Sequence, residues 1–283
     1  MGKIQGLSEN TNHKFHKDLT DMLRSIPLTY SNNIQVENLL ALQGLKDNGK
    51  DEIIFKIFYQ ISELLLKMVL LEIQQLVEIN TNYEKKWIAS FEKMNHYIEV
   101  LIHLFAIVKQ KNNKRNYLSF GEALPLFRGG QSVLLRYIEI YCTPLENLID
   151  KKYKRSAKTK MSIQEFYACL YWRRKEINYD KKNESMTAML FEQKYKEELL
   201  QLAEKVKGKT LADQFKQLAH PSKCLKSIVF KFDELFNYKW PIAIFETLDT
   251  KQTDQEHTGD LLYKKSFDSK DQIPQFFPWM WQR

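Results

Sequence analysis

From Lys50 to Ile79 the chain reads KDEIIFKIFYQISELLLKMVLLEIQQLVEI, without a Gly or a Pro. Apolar residues fall at Ile54, Ile57, Phe58, Ile61, Leu64, Leu65, Met68, Leu71 and Leu76. That is the spacing of one side of an α-helix, held over many turns. A stripe this wide predicts a helix inside a bundle rather than on its edge. Phe55 and Tyr59 stand four apart and share a face, and Glu63 and Lys67 repeat that spacing as a potential ion pair. The rest of the chain has to pack around this helix.

Composition narrows what that packing can be. The chain has 283 residues, enough for one large core or two smaller lobes. Its 9 Gly and 7 Pro are too few for a β-rich fold with many tight turns. A hydrophobic content of 43% with helical periodicity argues against disorder outside the ends. The expected fold is therefore all-α: residues 1–150 form an N-terminal segment and core helical bundle, and 151–283 add C-terminal helices on the same core.

The net charge of +8 is compatible with an acidic partner, but no basic-and-aromatic nucleic-acid module is present, and a lysine-rich surface explains the charge. No nucleic-acid partner is expected. Cys142, Cys169 and Cys224 are odd in number and widely spaced, with no CxxC, which suggests neither a disulfide framework nor a zinc site. MGKIQGLSENTNHKF lacks the apolar core of a signal peptide, and LLLKMVLLEI is too short and interrupted to cross a bilayer. A cytoplasmic protein with no membrane partner is expected.

Along the chain, Phe15, Leu19, Met22 and Leu23 predict a short helix ended by Pro27, and Asn33 is a candidate N-cap for a helix carrying Val36, Leu39 and Leu40. Tyr83 to Gln110 predicts a second long helix with Trp87, Phe91, Met94, Ile98, Leu101, Ile102, Phe105 and Val108 on its apolar side. His96 and His103 lie seven apart on it; as metal ligands they need a third group from elsewhere, and otherwise they are ordinary helical histidines. Gly129-Gly130 precede a helix with Val133, Leu134, Tyr137, Ile138 and Tyr141. The stretch DKKYKRSAKTK, from Asp150 to Lys160, reads as a solvated basic connector or a phosphate-binding patch. Met161 to Lys181 opens with a capping-box pattern, Ser162-x-x-Glu165. Met186 to Lys207 is amphipathic, with Gly208 as its C-terminal cap, and Pro241 should kink or restart the long helix that begins near Pro221. Phe276, Phe277, Trp279 and Trp281 crowd the C-terminus and should pack on the fold or on a neighbouring subunit.

Several of these segments carry a family likeness. KDEIIFKIFYQISELLLK resembles the helix of tryptophan 2,3-dioxygenases, HDE-x-x-F-x-x-x-HQ-x-x-ELW-x-K, through Asp51, Glu52, Phe55, Gln60, Glu63, Leu64 and Lys67. GGQSVLLRYIE resembles that family's GFQS-x-x-FR-x-x-E through Gly129, Gln131, Ser132, Arg136 and Glu139. Tyr30 and Gln43 match a third segment, which in the family reaches into a neighbouring subunit's active site. Thr258-Gly259 resembles part of its Gly-Thr-Gly loop, whose Thr approaches the substrate.

The resemblance implies the family's helical bundle, a homodimer or homotetramer, and a pocket for an indole or other aromatic amino-acid derivative. It also implies departures. The histidine that contacts the substrate above the haem is Tyr59 here, and the arginine that holds the substrate carboxylate is Gly121, with Arg128 a few residues on and able to reach the same space. The haem-binding histidine falls, depending on the gap chosen, on Trp240, Ala243 or Ile244, none of which ligates iron. The cofactor is therefore left open: the resemblance implies haem, and the proximal position lacks its histidine. The expected site comprises Tyr59 as the catalytic or orienting group, with Phe55, Arg128, Tyr30 and Thr258 binding a small anionic aromatic molecule and no metal ligand among them. Two alternatives stay open. Phe55 and Tyr59 can be plain core residues, and the protein can be a haem-free binding or structural oligomer.

Overall fold

Most of the expected helices form in the computed structural model, which describes residues 34–42, 50–79, 83–110, 132–154, 161–175, 186–248 and 274–282; the expected helix over Phe15 to Leu23 lies outside them. In order, the helices are α1 (Val36–Ala41), α2 (Lys50–Ile79), α3 (Glu84–Gln110), α4 (Val133–Cys142), α5 (Lys151–Lys154), α6 (Ile163–Ala168), α7 (Tyr171–Lys175), α8 (Met186–Val206), α9 (Leu211–Gln217), α10 (Lys223–Glu234) and α11 (Trp240–Leu248). No strand occurs among the described residues, only one isolated bridge between Ile149 and Leu170. The fold is all-α, as the sequence predicts. The chain divides into two compact units, Met1–Ile57 and Phe58–Arg283.

In the first unit, α1 starts later than Asn33 would have it. Its N-cap is Gln35, held at φ 57 while its side-chain oxygen accepts from Asn38 Nδ2 at 2.6 Å. Leu39 and Leu40 are exposed, and α1 buries none of its residues.

The second unit is organised on α3. Trp87, Phe91, Met94, Ile98, Leu101 and Phe105 follow the 4-3 spacing of a single helix face, and all are buried. Phe105 meets Phe58 of α2 edge-on at 4.8 Å, and Glu72 of α2 accepts from Ser90 at 2.8 Å and Lys93 at 2.9 Å. α10 and α11 pack on α3 as well, and Asn95 Nδ2 donates to the Ile228 carbonyl at 3.1 Å. α8 packs on α4 and α6.

The reading of α2 needs a correction. Its core side is Phe58, Leu66, Val69, Leu70, Ile73 and Leu76, whereas Ile61, Leu64, Met68 and Leu71 are exposed. The helix is apolar on two sides, and its buried residues lie on one of them.

Helix ends follow local chemistry. Ser162 and Glu165 form the expected capping box, at 3.2 Å and 2.6 Å, and Thr210 with Asp213 forms a second at the start of α9. The stretch after Met161 is not one helix: it breaks after Ala168 and resumes at Tyr171. Gly208, at φ 70, supplies the left-handed residue after α8. Pro241 acts one turn ahead of itself. α10 passes into a π-turn, Leu235–Lys239, where the Trp240 N–H donates to the Leu235 carbonyl. In an α register Pro241 would offer no N–H to the Asn237 carbonyl and would crowd it; the wider turn absorbs that misfit and α11 restarts at Trp240.

The aromatic C-terminus packs on the chain's own fold. Residues 274–282 form a strap in which Phe276 and Phe277 are fully buried. Phe276 lies 5.3 Å from Phe236, and Phe277 contacts Phe215 at 5.8 Å and Phe91 at 6.3 Å. The Phe276 carbonyl accepts from Thr143 Oγ1 at 2.9 Å. Phe277→Ala should lower the unfolding free energy by about 3–5 kcal/mol in urea denaturation; a loss below about 1 kcal/mol would show that the strap is not part of the core.

Candidate functional site

Tyr59 is the one expected site residue whose side chain is described. It is half-buried on α2, packs against the core and meets Phe58 edge-on at 5.5 Å. Phe55 belongs to α2, but its side chain lies outside the described residues, as do Tyr30, Arg128 and Thr258 altogether.

One turn beyond Tyr59, Glu63 does not pair with Lys67. Its Oε2 accepts from Ser132 Oγ at 3.0 Å. Ser132 is the N-cap residue of α4, and its hydroxyl is used on Glu63 rather than on the helix's own N–H groups. Burial pushes the Glu63 carboxyl above its ordinary value, and the bond from Ser132 pulls the other way. This contact joins two sequence blocks 69 residues apart, the ELxxK of α2 and the GxQS that leads into α4.

A second contact lies further along α4. Arg136, 2% exposed, donates to Glu139 at 2.7 Å and to the Tyr171 hydroxyl at 3.3 Å, while that hydroxyl donates to the other Glu139 oxygen. The guanidinium also stands 4.5 Å from the Trp172 ring centroid. Burial disfavours the Arg136 charge, but Glu139 and Tyr171 outweigh it and raise its pKa. The sequence offered Arg136 and Glu139 as matched letters; the pairing with Tyr171 and Trp172 was missed, because those residues read only as the end of a longer helix. Their aromatic-then-basic run, YWRR, was the available signal.

The late helix bears on haem. α11 contains no His, Cys or Met and packs directly on α3. Trp240 is buried against Phe236 at 5.3 Å, and its indole N–H has no hydrogen-bond partner among the described residues. Ala243 and Ile244 pack against the core. His96, His103 and His220 are exposed, and so is Cys224. Cys142 is fully buried, and its thiol is pushed up by burial and by the nearby Asp233 and Glu139. No cluster of three or more potential metal ligands occurs among the described residues. An open groove of about 500 Å³ beside α6 and α8 is lined by Gln164, Glu197, Leu200, Gln201, Glu204 and Lys205, and it contains none of the expected site residues. No helix among the described residues is long and apolar enough to cross a membrane.

No family model matches the sequence. Two curated proteins do resemble it. Tryptophan 2,3-dioxygenase 2 of Ralstonia nicotianae is 31% identical over 132 residues, covering 40% of this chain and 34% of that protein. Tryptophan 2,3-dioxygenase of Sorangium cellulosum is 34% identical over 124 residues, covering 40% of this chain and 30% of that protein. The chain thus spans about a third of the length of the curated relatives it matches. The likeness, together with the all-α fold, supports a distant relationship to the tryptophan 2,3-dioxygenase family.

Two expectations follow from the polar contacts. Arg136→Met leaves Glu139 buried without its cation and should cost about 3–5 kcal/mol of stability. The triple variant Arg136→Met, Glu139→Leu, Tyr171→Phe replaces all three polar groups together and should recover most of that loss in chemical denaturation. Glu63 gives a pH signature. Its folded pKa is raised above the ordinary 4.5, so its contribution to stability is fully present below that value and is lost as pH rises through the folded value. Glu63→Gln should flatten this limb of the stability–pH curve; an unchanged curve would assign the limb to another group.

Proposed function

We propose that the protein is a diverged tryptophan 2,3-dioxygenase-like protein that binds a small anionic aromatic molecule, an indole or other aromatic amino-acid derivative, at the Tyr59 side of α2 and acts on it there without the family's usual haem ligation. The observation that carries this reading is the Glu63–Ser132 contact, which joins the two resembling blocks. Four peptide units separate Ser132 from Arg128, a span of at most about 14 Å. Glu63 is one helical turn from Tyr59. The likeness to proteins named tryptophan 2,3-dioxygenase supports the ligand class.

In this reading Arg128 supplies the bidentate cation for a carboxylate. The Tyr59 phenol is protonated near neutral pH, so it orients the ligand or donates a proton where the family's histidine would accept one. The donor set of the late helix does not fit haem: Trp240, Ala243 and Ile244 offer iron no ligand, and the described histidines are exposed. A homodimer or homotetramer and a cytoplasmic location belong to the same proposal, the first supported by the resemblance of the Tyr30 segment to one that crosses between subunits.

A second reading, a haem-free binding or structural protein with no turnover, is favoured by the packing of Tyr59 against the core. The test is calorimetric titration of the full chain with L-tryptophan and indole-3-carboxylates, followed by product analysis. Tyr59→Phe and Arg128→Ala should each weaken binding about tenfold or more with thermal stability nearly unchanged. Binding without product selects the second reading. If both variants lose stability and neither alters binding, the site is elsewhere.

A further inference from the structure

The buried carboxylate of Asp233, on α10, has no cation beside it among the described ion pairs, yet it is fully buried. Four donors satisfy it. Oδ1 accepts from Asn237 Nδ2 at 2.6 Å and from the Phe276 N–H at 3.0 Å. Oδ2 accepts from the Phe277 N–H at 2.9 Å and from the Trp281 indole N–H at 2.8 Å. Three of these donors come from the strap, and the fourth comes from the π-turn. One carboxylate therefore fastens the C-terminus and the π-turn to each other.

We propose that the strap is a latch on the late helix α11, with the π-turn as its hinge. Three features single out this place. First, Pro241 deprives the Asn237 carbonyl of its helical donor, so the main chain between α10 and α11 is weaker here than in an uninterrupted helix. Second, the Asn237 side chain is buried and reaches across the turn to Asp233, so the hinge is tied to the carboxylate that holds the strap. Third, Trp240, the first residue past the hinge, keeps a buried indole N–H without a partner among the described residues. Such an unmet donor lowers the cost of leaving the latched form.

The strap covers the hinge from outside. Phe276 packs on Phe232 at 6.2 Å and on Phe236 at 5.3 Å, the residues just before Asp233 and Asn237. Trp281 closes over Phe230 at 5.1 Å. Lifting the strap removes three donors from Asp233 and the Phe276 ring from Phe236 of the π-turn together. Once the strap lifts, Asp233 keeps only its bond from Asn237 on the π-turn, so the strap, the π-turn and the helix that restarts from it, α11, open together. This coupling concerns α11, the helix on which the family resemblance places a ligand-binding residue, but it does not depend on what the protein binds.

Amide hydrogen exchange of the full-length chain, read by mass spectrometry, tests this. Trp281→Phe keeps a ring over Phe230 and deletes one donor to Asp233. It should speed exchange about tenfold in both 274–282 and 235–248, with 84–101 unchanged. Asp233→Asn should do the same more strongly. Asn237→Ala cuts the tie and should speed 235–248 while leaving the strap protected. Faster exchange confined to the strap in Trp281→Phe would overturn the coupling, and so would a uniform increase across all helices. Should Asp233→Asn fail to fold, Trp281→Phe and Asn237→Ala decide the matter between them.

Discussion

The second unit depends on a single helix face. Trp87, Phe91, Met94, Ile98, Leu101 and Phe105 present α3 as an unbroken apolar ridge, and α2, α10, α11 and the strap each meet it. Burial of large aromatic and branched side chains at this ridge is the dominant favourable term. Polar groups sit at its margins: Asn95 reaches out to α10, and Glu72 gathers Ser90 and Lys93. A helix with one strongly apolar side and a charged opposite side leaves its neighbours little choice of where to pack.

That ridge was readable from spacing alone, because α3 has only one apolar side. α2 was harder for the same physical reason turned around. Ile61, Leu64, Met68 and Leu71 have helical spacing, and so do Leu66, Val69, Ile73 and Leu76. Periodicity identifies a helix, but it cannot choose between two apolar sides without knowledge of the partner. Caps fared well where a side chain acts on its own neighbours, as at Ser162 and Glu165. Contacts between distant segments were out of reach: nothing in the spacing of Asp233 announces three donors more than forty residues away. Of the expected site, the structure describes the side chain of Tyr59 alone, so the grouping of Phe55, Tyr30, Arg128 and Thr258 with it rests on resemblance.

Several described residues that match the resembled tryptophan 2,3-dioxygenase motifs sit in contacts between or within helices. Glu63, Ser132, Arg136 and Glu139 are retained, and each bonds to another helix or within one. The Glu63–Ser132 bond ties α2 to α4, and the Arg136–Glu139 pair ties α4 to Tyr171 of α7. The differing positions, Tyr59, Gly121 and the stretch around Trp240, are those the resemblance assigns to ligand and cofactor. A scaffold kept while its reactive groups change is what divergence of chemistry on one fold requires.

Cys142 closes α4 beside Thr143, whose hydroxyl holds the strap. Its sulfur is sealed from solvent, and both burial and neighbouring carboxylates keep it a thiol rather than a thiolate. Cys224 is open to solvent and Cys169 is half-covered. Since only the thiolate attacks an alkylating reagent, the three sulfurs form a built-in series of accessibility clocks. The slowest of them marks how often the floor beneath the C-terminal residues is laid bare.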